Sequence, residues 1–396
     1  MTDIRDQVQR WLTAAIEAVD PVELTRRALS GPPATVVGIG KAAAGMCRGA
    51  ADALGSISGV CVTDAPDDVP DGVDLLIGDH PIPGLASLEA GERVLDTMRS
   101  ASGRVVVLIS GGGSALCEVP RSGIDFSFIQ HANRLLLGAG ASIDDANLVR
   151  GHLSSIKCGG LARASARPME TLIISDVAGS GPEVVASGPT LPMVFDPGRA
   201  RATMEHFGIE VPKQTWRAMS EPPDPPGETT VQVLADGMVA ADAAVHAAGS
   251  DGFAALTSDD WTSGPLARTL EQFLSRSRQG VVVAAGEVTL EVTGEGSGGR
   301  NSHAALLAAV QIADTGTVFA AFATDGVDGI SNSAGAIVDG STISRGGDPT
   351  QALVDFDSAT YLDSTGDLLR TGPTGTNVAD LWIVCDPTTG SAGQAS

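Results

Sequence analysis

The stretch VVVLISGGGSALCEVP, residues 105–120, carries six apolar or small residues straight into three consecutive glycines. Glycine gives up more conformational freedom on folding than any other residue, so three in a row cost stability. Such a run marks a tight turn or a close approach of backbone to a ligand where a strand ends. Other stretches share the pattern: ATVVGIG, GVCVTD, VDLLIG and TLIISDV each read as a buried strand ending in Gly, Ser or Asp. Near-continuous apolar strands separated by helical stretches predict an α/β fold with a parallel sheet covered on both faces. Ligands bind such sheets beyond the carboxyl ends of the strands, and every glycine motif here falls at that edge.

Composition bounds the rest. At 396 residues, 43% hydrophobic and only 18% charged, the chain is globular and long enough for two or three domains. The net charge of -23 repels nucleic acid and anionic membranes, so neither is an expected partner. Any anionic substrate then needs local cations, and there are only three lysines, Lys41, Lys157 and Lys213. Five scattered cysteines without a C-x-x-C pair predict free buried thiols in a reducing cytosol. The opening MTDIRDQVQRWLTAAIEAVD reads as an amphipathic helix without the apolar core of a signal peptide. No apolar run approaches the ~18 residues a span needs. The expectation is a cytoplasmic monomer or homodimer.

The proline-rich EPPDPPGE, residues 221–228, can continue neither a helix nor an inner strand and reads as a linker. It divides the chain into residues 1–225 and 226–396. The second part is expected to hold the strands GVVVAAG, VTLEVTG and TVFAAFATD.

The motifs lie at strand ends. GIGKAAAG contains Gly38, Gly40 and Ala43 in G-x-G-x-x-A spacing, with Asp64 closing the next strand, which approximates a dinucleotide fingerprint. Lys41 inside that turn adds a full charge to the helix N-terminus and suits a phosphate or carboxylate better than a ribose; a plain tight turn is the alternative. SGGGSA is neither a nucleophile elbow nor a P-loop. It reads as an anion nest of Gly111, Gly112 and Gly113 N–H groups beside the Ser110 and Ser114 hydroxyls, or as a structural glycine turn. Asn147, Arg150, His152 and Lys157 crowd one short segment without sharing a clean helical face. Asp176 stands where a catalytic base or metal ligand would, though an Asx-turn has the same signature. Glu287 opens the next motif, and Arg300-Asn301 follow a glycine loop, where an arginine can bridge phosphoryl oxygens bidentately. Asp325 and Asp328 suit Mg²⁺, or simply form an acidic turn. Their sum is the parts list of phosphoryl transfer.

In order, GIGKAA, GDHPIPGLAS, SGGGSAL, NLVRGHLSSIK, SDVAG, ASGPT, GGRN, TDGVDG and TGPTGTNVADL resemble the glycerate 2-kinase family with its C-terminal MOFRL domain, over residues 34–385. The resemblance implies a Rossmann-like αβα N-terminal domain, a smaller α/β C-terminal domain and an active site in the cleft between them. It implies ATP- and Mg²⁺-dependent phosphorylation of D-glycerate at its 2-hydroxyl. Hydroxypyruvate reductase, an older name for similar proteins, is the rival reading; a binder or kinase of another sugar acid is the third. By resemblance, Lys41 and Arg300 are the cations on substrate and transferring phosphoryl group, Asp176 is the base or metal ligand, and SGGGS is the nest for a carboxylate or phosphate. This chain departs from the family's usual pattern at Ser180, His303 and Cys158.

Overall fold

The computed structural model describes residues 3–177, 181–258 and 262–387. The chain divides into two compact units, Pro21–Asp176 with Ser180–Leu234, and Met1–Asp20 with Val177–Gly179 and Ala235–Ser396.

The first unit is built on six strands: β1 Ala34–Ile39, β2 Ile57–Thr63, β3 Val73–Ile77, β4 Arg104–Ser110, β5 Met169–Ile174 and β6 Thr229–Ala235. Their order across the sheet is β3-β2-β1-β4-β5-β6, and β1 to β5 pair in parallel. This is the order of a Rossmann sheet. The strands form because their side chains are apolar on both faces: Val37, Ile39, Val60, Val62, Val107 and Ile109 are essentially inaccessible. Helix Leu85–Ser100 lays Ala90, Val94, Leu95 and Met98 against them. Each such Val, Leu or Ile contributes about 1.5–3 kcal/mol over leaving it exposed. Since the chain winds outward from β1 one way and from β4 the other, the crevice between their carboxyl ends is the topological switch point. Lys41 and Gly111–Gly113 follow directly from those two ends.

The second unit carries β7 Ala255–Thr257, β8 Thr262–Pro265, β9 Val281–Thr289, β10 Val318–Ala323, β11 Gly335–Asp339, β12 Leu368–Leu369 and β13 Asp380–Cys385. The order β12-β11-β10-β13-β9-β7, with β8 also on β9, makes a mixed sheet. Antiparallel pairing of β9, β13, β10 and β11 sets Asp380 opposite Gly286, so register places Asp380 next to Glu287. GVVVAAG and the start of VTLEVTG form one strand rather than two.

The division differs from a cut at residue 225 in two ways. Strand β6 completes the first sheet, so the prolines before it connect elements within one unit. The amphipathic helix Ile4–Ala18 belongs to the second unit, where Trp11 donates to Asp251 at 2.9 Å and meets Phe253 edge-on, and Arg5 bridges Asp339 and Asp367. All five cysteines are unpaired, four of them buried. Among the described residues, no helix is long and apolar enough to cross a membrane.

Candidate active site

At the switch point of the first unit the two glycine motifs interlock. The Lys41 N–H donates to the Gly111 carbonyl at 3.0 Å, the Ala42 N–H to Ser110 Oγ at 2.9 Å, and the Ala43 N–H to the Gly40 carbonyl at 3.1 Å. Gly40 adopts φ +128°, and a Cβ there would stand 2.5 Å from the Ser110 carbonyl oxygen, so only glycine lets β1 and β4 close in this way. The first N–H groups after β1 are therefore spent inside the fold, whereas a dinucleotide fingerprint leaves them for a pyrophosphate.

The opening glycines hold the opposite arrangement. Gly112 lies at φ +83° and starts a new helical turn, and no hydrogen bond among the described residues uses the N–H groups of Gly112, Gly113 or Ser114. The half-buried Lys41 chain crosses this turn, its Cγ 3.3 Å and the His80 Cδ2 3.8 Å from where a Gly112 Cβ would stand. Backbone donors, the Lys41 side-chain stem and the His80 ring thus share one small region. Asp176 follows β5, the neighbour of β4, and is half-buried.

The cluster in residues 147–157, expected to face an anion, turns inward instead. Asn147 is fully buried: its Oδ1 accepts from Ser187 Oγ at 2.6 Å and its Nδ2 donates to the Val184 carbonyl at 3.1 Å. Ser187 also lies 2.7 Å from Ser114 Oγ, so Asn147 supports the nest from behind. Arg150 donates to Asn133 at 2.8 Å, and burial lowers its pKa despite the charge of Glu118. His152 donates from Nδ1 to the Leu148 carbonyl and stacks on Phe195, with burial lowering its pKa. Lys157 is paired with Glu118, both side chains 1% exposed. Side-chain oxygens, backbone carbonyls and the Glu118 carboxylate within the first unit engage these groups. Cys158 holds φ +52°, a left-handed conformation that glycine adopts most readily.

In the second unit Arg300 opens helix Arg300–Gln311. Its Nε and one terminal nitrogen grip the two oxygens of Asp380, the second at 3.0 Å, and its other terminal nitrogen meets Glu287 at 2.7 Å. Burial opposes the Arg300 charge, but Asp380 first and Glu287 next outweigh it and raise the guanidinium's pKa. Burial likewise pushes the Asp380 carboxyl up to about 6, against the pull of Arg300. The result is a planar fork fixed in place at a helix N-terminus. Asn301 is fully buried and accepts from Trp382 Nε1 at 3.3 Å. Asp380 was missed in sequence; a lone carboxylate opening DLWIVC was its one cue.

Asp328, expected to hold a metal, serves as a helix cap. Its two oxygens accept the N–H groups of Gly299, Asn301 and Ser302 at 2.7–3.1 Å, capping the Arg300 helix, and it is 2% exposed. The Asp325 Oδ1 accepts the Val327 N–H at 3.0 Å. Among the described residues, no group of three or more His, Cys, Asp and Glu is placed to hold a metal. His303 is buried, with Nδ1 3.0 Å from Ser358 and its ring stacked on Phe356, so it packs the core of this unit. Ser180 lies outside the described residues.

Known proteins match this arrangement along nearly its whole length. The family model described as a domain of unknown function, DUF4147, matches residues 7–220, and the MOFRL family model matches residues 280–380. The D-glycerate 2-kinase of Thermotoga maritima is 35% identical, the alignment covering 93% of this chain and 95% of that protein. A protein of Agrobacterium vitis, provisionally named a hydroxypyruvate reductase, is 36% identical over 95% of this chain and 93% of its own. The crystal structure of a glycerate kinase from Thermotoga maritima superposes with a TM-score of 0.87 at 32% identity, covering 98% of this chain and all of that one. A Rossmann-ordered sheet and a mixed sheet bearing a clamped arginine define a two-unit α/β enzyme. Within that class, the chain belongs to the glycerate 2-kinase family.

Proposed function

We propose that this protein transfers the γ-phosphoryl group of ATP to the 2-hydroxyl of D-glycerate, giving 2-phospho-D-glycerate. The observation that carries this reading is Arg300, a guanidinium fork locked by Asp380 and steadied by Glu287 at a helix N-terminus, in a chain related to a D-glycerate 2-kinase. Such a fork matches phosphoryl oxygens and needs no reorganisation as charge develops. Lys41 and the N–H groups of Gly112, Gly113 and Ser114 suit the second anion, a substrate carboxylate or a phosphate. The bond formed joins the glycerate 2-oxygen to γ-phosphorus, and the bond broken is that to the β–γ bridging oxygen, with ADP leaving. Asp176 takes the hydroxyl proton or holds the nucleotide's metal. Mg²⁺ would neutralise the phosphates; with Asp328 occupied as a cap, it would rest on phosphate oxygens and water with Asp325 or Asp176, as this ion ordinarily does.

An assay of purified protein with D-glycerate, ATP and Mg²⁺, read by phosphorus NMR, tests this. A 2-phosphoglycerate signal supports it; no turnover, with NADH consumed on hydroxypyruvate, hands the case to a reductase. Arg300→Ala and Lys41→Ala should each lower turnover about 10³-fold or more with the fold intact, by analogy with arginine fingers. Asp64→Ala, at the exposed end of β2, should leave turnover within about twofold.

A further inference from the structure

A basic cavity lies in the first unit, away from the switch point. It encloses about 390 Å³ and is lined by Arg99, Arg121, Arg163, Ser154, Ser155 and Asp224, among others. Arg99 sits in the last turn of helix Leu85–Ser100, which leads into the start of β4. Arg163 sits in Gly160–Ala164, which leads into the start of β5. Both arginines therefore fall toward the amino ends of the strands, whereas Lys41 and the glycine nest lie beyond the carboxyl ends.

Three guanidinium groups around one small space are unexpected in a protein of net charge -23. Arg99 is paired on the surface with Asp96, but Arg121 and Arg163 form no ion pair among the described residues. Arg121 donates to the Glu221 carbonyl, and Arg163 to the carbonyls of Cys158 at 2.9 Å and Lys157 at 3.3 Å. Those bonds fix both planes and leave most of the N–H donors unused. Burial lowers the pKa of both, and the charge of Arg121 acts on Arg163 in the same direction, opposed by Asp224. Two half-buried like charges held side by side are relieved most directly by an anion between them.

We propose that this cavity is a second anion site, for a compact di- or trianion of the phosphate or carboxylate type. Its volume admits a ligand of six to ten heavy atoms by ordinary pocket proportions, at roughly the small end of the range. The site stands independently of the reaction proposed above, since none of its lining residues belongs to the glycine nest.

Calorimetric titration of the full chain with pyrophosphate and, separately, with malonate distinguishes the two anion types and tests the site. Lys41→Ala should retain binding of at least one probe. Arg121→Gln combined with Arg163→Gln should weaken it about 10–100-fold, the scale of two charge-assisted contacts. Arg163→Lys, which keeps the charge, should lose less than Arg163→Gln. Should the double variant fail to fold by circular dichroism, Ser155→Asp, placing a negative charge in the same lining, carries the test with the same expected loss. Binding that is absent for both probes, or unchanged in the glutamine and aspartate variants, overturns the proposal.

Discussion

Lys157 offers the sharpest test of what holds the first unit together. In sequence it stands among candidate anion ligands; in the fold its ammonium is buried against Glu118, both side chains 1% exposed, in an ion pair that joins positions 39 residues apart. Removing one partner leaves an uncompensated charge in the interior, which costs about 3–5 kcal/mol. At about 2–4 °C per kcal/mol for a unit of this size, Glu118→Gln or Lys157→Met should lower the melting temperature by roughly 6–20 °C. Replacing both behaves differently. Glu118 Oε1 is buried without a hydrogen-bond partner among the described residues, so the native pair already carries a desolvation cost that an apolar pair would not. Glu118→Leu with Lys157→Met should therefore recover most of the lost stability, and turnover with it. Thermal unfolding by circular dichroism, run beside the kinase assay on the four proteins, reads both quantities. If Lys157→Met melts within 2 °C of the unaltered protein yet has no activity, or the double variant is stable and inactive, Lys157 touches the reacting groups and the structural assignment fails.

Asp328 and Asp325 should separate cleanly. Asp328→Ala strips the acceptor from three N–H groups at the start of the Arg300 helix and should cost about 2–4 kcal/mol in a urea titration, with the Mg²⁺ half-saturation of turnover unchanged; a stable variant with altered Mg²⁺ dependence would reverse the roles. One of Asp325→Asn and Asp176→Asn should do the opposite, shifting Mg²⁺ dependence while the urea midpoint stays put. For pH, burial holds His152 and His303 below the ordinary histidine range, so on acidification the unfolded chain takes protons first, near pH 6.5. Stability from these groups is present above that value and is lost as pH falls from about 6.5 toward their folded values. The Asp380 carboxyl, pushed up to about 6, acts in the opposite sense over the same range, so the test is a difference: His152→Gln with His303→Gln should lose less melting temperature between pH 7.5 and 5.5 than the unaltered protein, and an identical profile in the variant refutes the assignment.

The first sheet was legible because parallel strands covered on both faces must be apolar at nearly every position, and ATVVGIG, VVVLIS and TLIISDV are. VTLEVTG misled for a physical reason: its alternation is that of a strand, but after Thr289 tertiary contacts take over. Gly296 N–H binds the Asp355 carbonyl at 2.9 Å and Ser297 N–H binds Asp357 at 2.8 Å, drawing the segment off the sheet. The amphipathic period of Ile4–Ala18 announced a buried face without saying which unit would cover it.

The site divides along the same line. Arg300 was visible because a lone arginine after a run of glycines has few structural reasons to be there. Its clamp was not, since Asp380 lies 80 residues further on and reaches Arg300 only because β13 pairs with β9 in the register that sets Asp380 against Gly286. Residue chemistry is printed locally, but the partner that fixes its orientation or neutralises its charge is chosen by strand register and burial. The same rule sends Lys157 to Glu118 and leaves Lys41 at the switch point. Both lysines lie within two residues of a glycine; β1 and β4 ending side by side hold Lys41, half-buried, at the switch point, and the interior closing over Glu118 leaves Lys157 to the fold.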